Sequence, residues 1–236
     1  MYECRIPRPA DEVRLRCAIP RTIRVYPRLS ADKPFLNKLV IASNNPGKLR
    51  ELGALLAPLG IEALAQSEFH VVEAEEPHDT FLENALVKAR NASRATGLPT
   101  LADDSGLCVP ALGGEPGVHS AYYAGRAGSR EERDARNNAK LVAALRDRSD
   151  RAAYYYCVLV LVASPSDPTP IVADGRWDGE IVISPRGTGG FGYDPYFLAA
   201  GGRTAAELAA GEKNRVSHRA RALEALAARL GRGQAG

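Results

Sequence analysis

Leu39-Val40-Ile41-Ala42-Ser43-Asn44-Asn45-Pro46-Gly47-Lys48 is the stretch from which the fold of this chain can be read. Its four leading apolar residues have the length of a short buried strand. Asn45 then offers a side-chain oxygen to cap a helix, and Pro46 has the fixed φ suited to a first helical turn. Leu49, Leu52, Leu56 and Leu59 follow at helical spacing and would share one face. A strand running straight into a helix is the opening unit of an α/β protein, and the pattern continues downstream. Thr80 and Glu83 form a capping box for a helix that stops at Gly97-Leu98-Pro99, with Leu82, Ala85, Leu86 and Ala89 as its apolar face. Asn84, Lys88 and Asn91 fall on the opposite face. A strand over 100–102 should deliver Asp103-Asp104-Ser105-Gly106 at its end. Ser129 and Glu132 cap a helix with Leu141, Val142 and Leu145 inward. Residues 152–163 read as a long strand, and 171–173 and 180–183 as a strand pair. Thr204 and Glu207 frame a short helix, and Ser217 caps a last one with Leu223, Leu226 and Leu230 inward. The expected class is α/β, a mixed elongated sheet flanked by helices.

No repeat or linker interrupts residues 37–236, which read as one domain. Residues 1–36 differ: five prolines, seven arginines and no periodicity predict a disordered or spurious N-terminal arm. The net charge of +3 sits in that arm, and the remainder is slightly acidic, so the balance does not describe a nucleic-acid surface. At 6% aromatic residues the chain also lacks the makings of a base-stacking platform. Its four cysteines form no CxxC pair and have no His at metal-ligand spacing, which fits a reduced, cytoplasmic setting. The longest apolar run, 157–163, is too short to span a bilayer.

Five groups of residues can carry chemistry. Ser43, Asn44, Asn45, Pro46, Gly47 and Lys48 lie where a strand meets a helix N-terminus, a place suited to phosphate, although an ordinary capped turn has the same look. The stretch is no Walker A loop, since the first Gly and the Ser or Thr after Lys48 are missing. Asp103 and Asp104 are adjacent carboxylates that either close an Asx turn or face a hard divalent cation. If the strand continues, their side chains point to opposite faces. Glu73, Glu75 and Glu76 are a solvated acidic run or the completion of such a site. Gly187 to Gly192 matches GxGxxG, but Tyr193-Asp194-Pro195 follows where a helix should begin, which rules out a dinucleotide fingerprint. What remains is either a packing turn or a glycine loop able to approach a ligand, with Phe191 to stack a base. Lys213, His218 and Arg219 bring cations near the start of the last helix, as a solvated basic face or as ligand contacts. His218 and Arg219 occupy its first turn, where positive charge opposes the helix dipole.

In this order the blocks SNNPGK (43–48), EEPHDTFLENALVKA (75–89), LADDSGL (101–107), GTGGFGYDP (187–195), TAAEL (204–208) and SHR (217–219) resemble one family, the non-canonical purine nucleoside triphosphate pyrophosphatases. The resemblance runs from about Leu39 to Leu230 and has no counterpart for the arm. It implies two lobes around a central cleft, a Mg²⁺ cofactor and a homodimer. Metal would fall to Glu76 and Asp104, with Asp104 as the catalytic proton acceptor. Substrate contacts would come from Ser43, Asn44, Asn45, Pro46, Gly47, Lys48, Lys88, Asp103, Ser105, Phe191, Gly192, Tyr193, Asp194, Lys213, His218 and Arg219. The implied reaction releases pyrophosphate from ITP, dITP, XTP or dXTP, with no nucleic-acid or membrane partner. A related pyrophosphatase for modified pyrimidine nucleotides is the nearest alternative, and an RNA-binding module using the arginine arm is the alternative of another class.

Overall fold

The computed structural model describes residues 36–231. The expected arm lies outside the described residues except for its last member, Leu36, which is buried in the core. Three parallel strands lie at one end of the sheet. β1 (Lys38–Ile41) is followed by α1 (Pro46–Leu56), β2 (Glu62–Ala65), α2 (Phe81–Thr96) and β3 (Thr100–Cys108). Next come α3 (Arg130–Leu145), β4 (Ala152–Val162), β5 (Ile171–Ile181), β6 (Phe197–Ala199), α4 (Ala210–Val216) and α5 (His218–Arg229). The strand order is β2-β1-β3-β4-β5-β6, with β2, β1 and β3 parallel and each later pairing antiparallel. The mixed α/β sheet is the one expected.

The helix ends follow from their caps. Asn45 Oδ1 accepts from the backbone N–H groups of Gly47 and Lys48, Thr80 caps α2 through Glu83 N, and Gly97 ends α2 in the left-handed conformation. Ser129 and Glu132 form the predicted reciprocal box on α3, and Ser217 caps α5.

Strand alternation sorts the core into two faces. Leu39, Ile41, Leu101, Leu159 and Leu161 pack with Leu52 and Leu56 of α1 and Leu223 and Leu226 of α5. Val40, Ala102, Val158, Val160 and Val162 pack with Ala85, Ala89 and Ala92 of α2. A third cluster under α3 joins Leu107, Leu141, Leu145, Tyr155, Trp177 and Phe197. These burials supply the bulk of the folding drive, at about 1.5–3 kcal/mol per large side chain.

Three sequence readings need correction. β3 does not stop at Ala102 but continues through the aspartates to Cys108. The expected pair at 171–173 and 180–183 is one strand, β5. Gly175, in its middle, is the point where α5 crosses, and a Cβ there would clash with the carbonyl oxygen of His218. Leu82 is 43% exposed rather than inward, because α2 turns Asn84 inward instead, where its amide bonds both the N–H and the C=O of His78. The short β2, β6 and α4 gave no sequence signal.

Because β3 continues, its two aspartates fall on opposite faces, and Asp103 becomes a hub inside the α1/α5 face. Its Oδ2 takes a hydrogen bond from Arg219 Nε of α5 at 2.8 Å and from Cys157 Sγ of β4 at 3.3 Å. Its Oδ1 pairs with the ammonium of Lys48 on α1 and accepts from Ser105 Oγ at 2.8 Å. Burial alone would raise the Asp103 carboxyl, but Lys48 and Arg219 outweigh it and hold the group well below the usual carboxylate range.

Asp103→Asn keeps the volume and removes the charge, leaving two buried cations short of a partner. It should lower stability at pH 7 by about 3–5 kcal/mol in urea unfolding, and a loss under about 1 kcal/mol would mean that the hub carries little. The sign in pH follows from a depressed folded pKa. The contribution is complete above the unfolded value of about 4 and drains away as pH falls toward the folded one, so the two proteins should converge in acid.

Candidate active site

β1 lies at the point where the chain reverses direction across the sheet: α1 leads to β2 on one side, and α2 returns to β3 on the other. Ligands of open α/β sheets bind beyond the carboxyl end of the strands at such a point. Here β1 pairs with β3 only at Thr100 and Leu101, so past Ala102 the edge of β3 carries no strand partner from β1. A cavity of about 470 Å³ lies there, within the usual size for a small-molecule site. One wall comes from the lobe of α1 and α2, and the other from the lobe of α3 and the glycine loop.

The first wall holds the SNNPGK loop. Ser43 Oγ accepts from Asn45 N at 3.1 Å, and Asn44 Oδ1 from Gln66 Nε2 at 3.1 Å. Gly47 lies under the ring of Phe191, so close that a Cβ would fall 2.6 Å from two ring carbons. The lobes thus touch at this glycine, and any side chain there would push the aromatic ring aside.

The acidic group faces the cavity from the α2 side. Lys88 reaches Asp104 Oδ1 at 2.7 Å and Glu76 Oε2 at 2.9 Å, binding both carboxylates with one ammonium. The loop that carries Glu76 is clipped to α2 by the polar stripe read from the sequence, Asn84 holding His78 and Asn91 donating to Val72 O. Burial would raise Glu76, but Lys88 outweighs it and the carboxyl lies low. Asp104 goes the other way. Burial pushes it up to about 6 despite Lys88, and its Oδ2 is buried with no hydrogen-bond partner. Lys88 would be lowered by burial, yet Asp104 and Glu76 raise it and keep it charged.

The third group is the glycine loop against α5. Asp194 shapes that loop: its Oδ2 accepts from Phe191 N at 2.8 Å and from Lys213 Nζ at 2.6 Å, and its Oδ1 from Tyr155 OH at 3.2 Å. Glu51 of α1 joins Lys213 at 3.0 Å and Arg219 at 2.6 Å. Burial would raise Glu51, but Arg219 and Lys213 hold it low. His218 is buried and stacked on Tyr155, with ring centroids 4.7 Å apart. Burial, followed by the neighbouring Arg219, lowers it well below an ordinary histidine. It is therefore uncharged, and Arg219 is paired, so the expected conflict with the helix dipole does not arise.

The structure brings the predicted residues to one place, in two layers. Ser43, Asn44, Asn45, Pro46, Lys48, Glu76, Lys88, Asp104, Ser105, Phe191, Gly192, Tyr193, Asp194, His218 and Arg219 line the cavity. Gly47, Asp103 and Lys213 lie just behind, Asp103 and Lys213 as ionic supports. Glu73 reaches the cavity wall, and Glu75 is exposed outside it. Sequence reasoning missed Glu51, Tyr155 and Arg130. Glu51 had a signal, since it lies one helical turn after Lys48, but an acidic residue on a first helix attracts no notice alone.

A model of the Ham1 family matches residues 39–229. The dITP/XTP pyrophosphatase of Burkholderia pseudomallei (strain K96243) is 64% identical over 196 residues, covering 83% of this chain and 94% of that protein. The dITP/XTP pyrophosphatase of Ralstonia nicotianae (strain ATCC BAA-1114 / GMI1000) is 60% identical over 196 residues, covering 83% and 97%. Among solved structures, a HAM1 protein from Coxiella burnetii superposes with a TM-score of 0.74 at 48% identity, covering 82% of this chain and 98% of its own. The Ham1 protein of Staphylococcus aureus gives 0.71 at 38%, with the same coverage. With the match running from the first strand to the last helix, this chain belongs to the Ham1 family.

Proposed function

We propose that this chain hydrolyses non-canonical purine nucleoside triphosphates, dITP, ITP, XTP and dXTP, to the monophosphate and pyrophosphate, and so cleanses the nucleotide pool. The observation that carries the chemistry is the buried, partnerless Oδ2 of Asp104, in a cavity that also holds a strand-to-helix phosphate loop. The substrate class rests on the relatives of Burkholderia and Ralstonia.

In this reading Asp104 would orient water and take its proton, and without a metal ion burial raises its carboxyl to about 6. The water oxygen would bond to the α-phosphorus as the bond to the β-phosphate bridging oxygen breaks. The proton would pass to Asp104 and on to solvent, and pyrophosphate would leave with its charge. Lys48 and Lys88 face that charge from the cavity wall, with Lys213 behind it. His218, neutral and with Nδ1 free of any partner, supports a hydrogen-bonding base site beside Phe191. A 6-amino group in place of a 6-oxo group would mispair there at a cost of about 1–3 kcal/mol.

Glu76 and Asp104 also fit Mg²⁺. They are hard oxygen donors, and one of them has an orphaned oxygen. Among the described residues no group of three or more His, Cys, Asp or Glu forms a closed metal cage. One or two carboxylates completed by substrate phosphates is the usual magnesium arrangement. When bound, the ion would supply positive charge against the polyphosphate. The same reading carries a homodimer in the cytoplasm, without a nucleic-acid or membrane partner. It rests on the family resemblance and on the unpaired Cys108 and Cys157.

A panel of dITP, XTP, dATP, dGTP and dUTP with Mg²⁺, scored separately for pyrophosphate and orthophosphate, tests the reading. Pyrophosphate from dITP and XTP is expected. Orthophosphate alone, or preference for dUTP, would contradict it. Asp104→Asn should cut kcat by about 10²–10⁴-fold while nucleotide still binds by calorimetry, and near-normal turnover would remove Asp104 from the mechanism. The folded pKa of Asp104 is raised, so its ionisation costs folding energy as pH climbs from about 4 to about 6. Metal-free Asp104→Asn should therefore gain stability on the wild type across that window in urea melts, and a widening deficit would reverse the sign.

A further inference from the structure

The cations of this cavity are unequal in what they can offer a polyphosphate. Lys48 is pinned to Asp103, Lys88 to Asp104 and Glu76, and Arg219 to Asp103 and Glu51. Each shares its charge with at least one carboxylate in near contact. Arg130, in the first turn of α3, does not. Its only ion-pair partner among the described residues is Asp134, at 3.8 Å, and Asp134 Oδ2 already accepts from Gly192 N at 3.2 Å. Instead Arg130 reaches across the cleft and donates from Nη1 to the neutral Asn45 Oδ1 at 2.7 Å. That oxygen already accepts from Gly47 N and Lys48 N. The guanidinium lies 4.9 Å from the centre of the Phe191 ring, and its side chain is 29% exposed where it lines the cavity.

Three residues spaced four apart on α3 thus engage the two ligand-facing loops. Arg130 touches the SNNPGK loop, and Asp134 and Asn138 hold the N–H and C=O of Gly192. The helix holds the glycine loop through Asp134 and Asn138, while Arg130, only weakly paired, projects over the phosphate loop. A charged phosphate oxygen is about twice as strong an acceptor as a neutral amide. It also accepts the planar guanidinium fork through two bonds at once.

Building on the triphosphate reading above, we propose that Arg130 is a substrate-binding residue that leaves Asn45 to grip the β- and γ-phosphates, closing the cleft from α3. Arg130 already reaches the SNNPGK loop across the cleft, so a polyphosphate lying along that loop would take the place of Asn45 as its partner. The monophosphate product, lacking those phosphates, would not engage it, which favours release after cleavage.

Arg130→Ala tests this in the full-length protein with Mg²⁺, with steady-state kinetics on dITP and titration calorimetry using inorganic tripolyphosphate and dIMP. The loss of a charge-assisted contact should raise KM for dITP and weaken tripolyphosphate binding, each by about 10- to 100-fold. Affinity for dIMP should stay within twofold, and kcat should change little. Arg130→Lys, which keeps the charge without the fork, should fall between. Tripolyphosphate affinity within twofold of wild type overturns the proposal, as does equal weakening of tripolyphosphate and dIMP. A drop in kcat at unchanged KM and unchanged tripolyphosphate affinity would make Arg130 a loop-positioning residue and overturn it as well. A wild type idle on every purine triphosphate would sink the proposed function, while the calorimetric comparison would still decide the role of Arg130.

Discussion

The buried carboxylate of Asp103 is the constraint around which the rest of this structure is arranged. It has no access to water, and it remains ionised only because Lys48 arrives from α1 and Arg219 from α5. Those two helices come from opposite ends of the sequence. Each cation is needed where it stands, and this sets the angle at which the phosphate loop and the last helix meet β3. Glu51 ties the same Arg219 to Lys213, and Lys213 in turn holds Asp194 of the glycine loop. One chain of charge therefore runs behind the cavity from the phosphate loop to the base side. A buried ionic network of this kind is poor evidence for high stability but a good means of fixing one geometry.

Asp104 shows what the neighbouring position does without that compensation. The peptide geometry of a strand sends it to the other face, where a single ammonium is shared with Glu76 and one carboxylate oxygen is buried without a hydrogen-bond partner. Two adjacent aspartates thus have opposite characters: one is locked in its charged form, and the other is raised toward neutrality. The first supports and the second reacts, in the proposed chemistry. The open edge of β3 beyond the end of β1 makes the arrangement possible, because side chains from both faces reach one cleft there.

Much of this was legible in the sequence where a local rule governed the outcome. The Asn45, Thr80, Ser129 and Ser217 caps depend on residues within one turn and all form, although Glu83 accepts from the Thr80 hydroxyl instead of completing the expected box. The cavity-lining blocks were also legible, through the family resemblance more than through local physics. Legibility ended where distant packing decided. β3 continues through Asp103 because Lys48 and Arg219 meet its charge, and no local pattern announces partners so far away. β5 is continuous through Gly175 because α5 crosses there. Nothing in the local sequence singles out Arg130 among the arginines of α3, and its reach to Asn45 spans 85 residues of chain.

The central claim is that a water prepared by Asp104 attacks the α-phosphate. Hydrolysis of dITP in water enriched in ¹⁸O, with mass analysis of both products, tests it most directly. The account predicts one ¹⁸O in the phosphate of dIMP and none in pyrophosphate. Label in pyrophosphate, with unlabelled dIMP, would place the attack on the β-phosphate and contradict it.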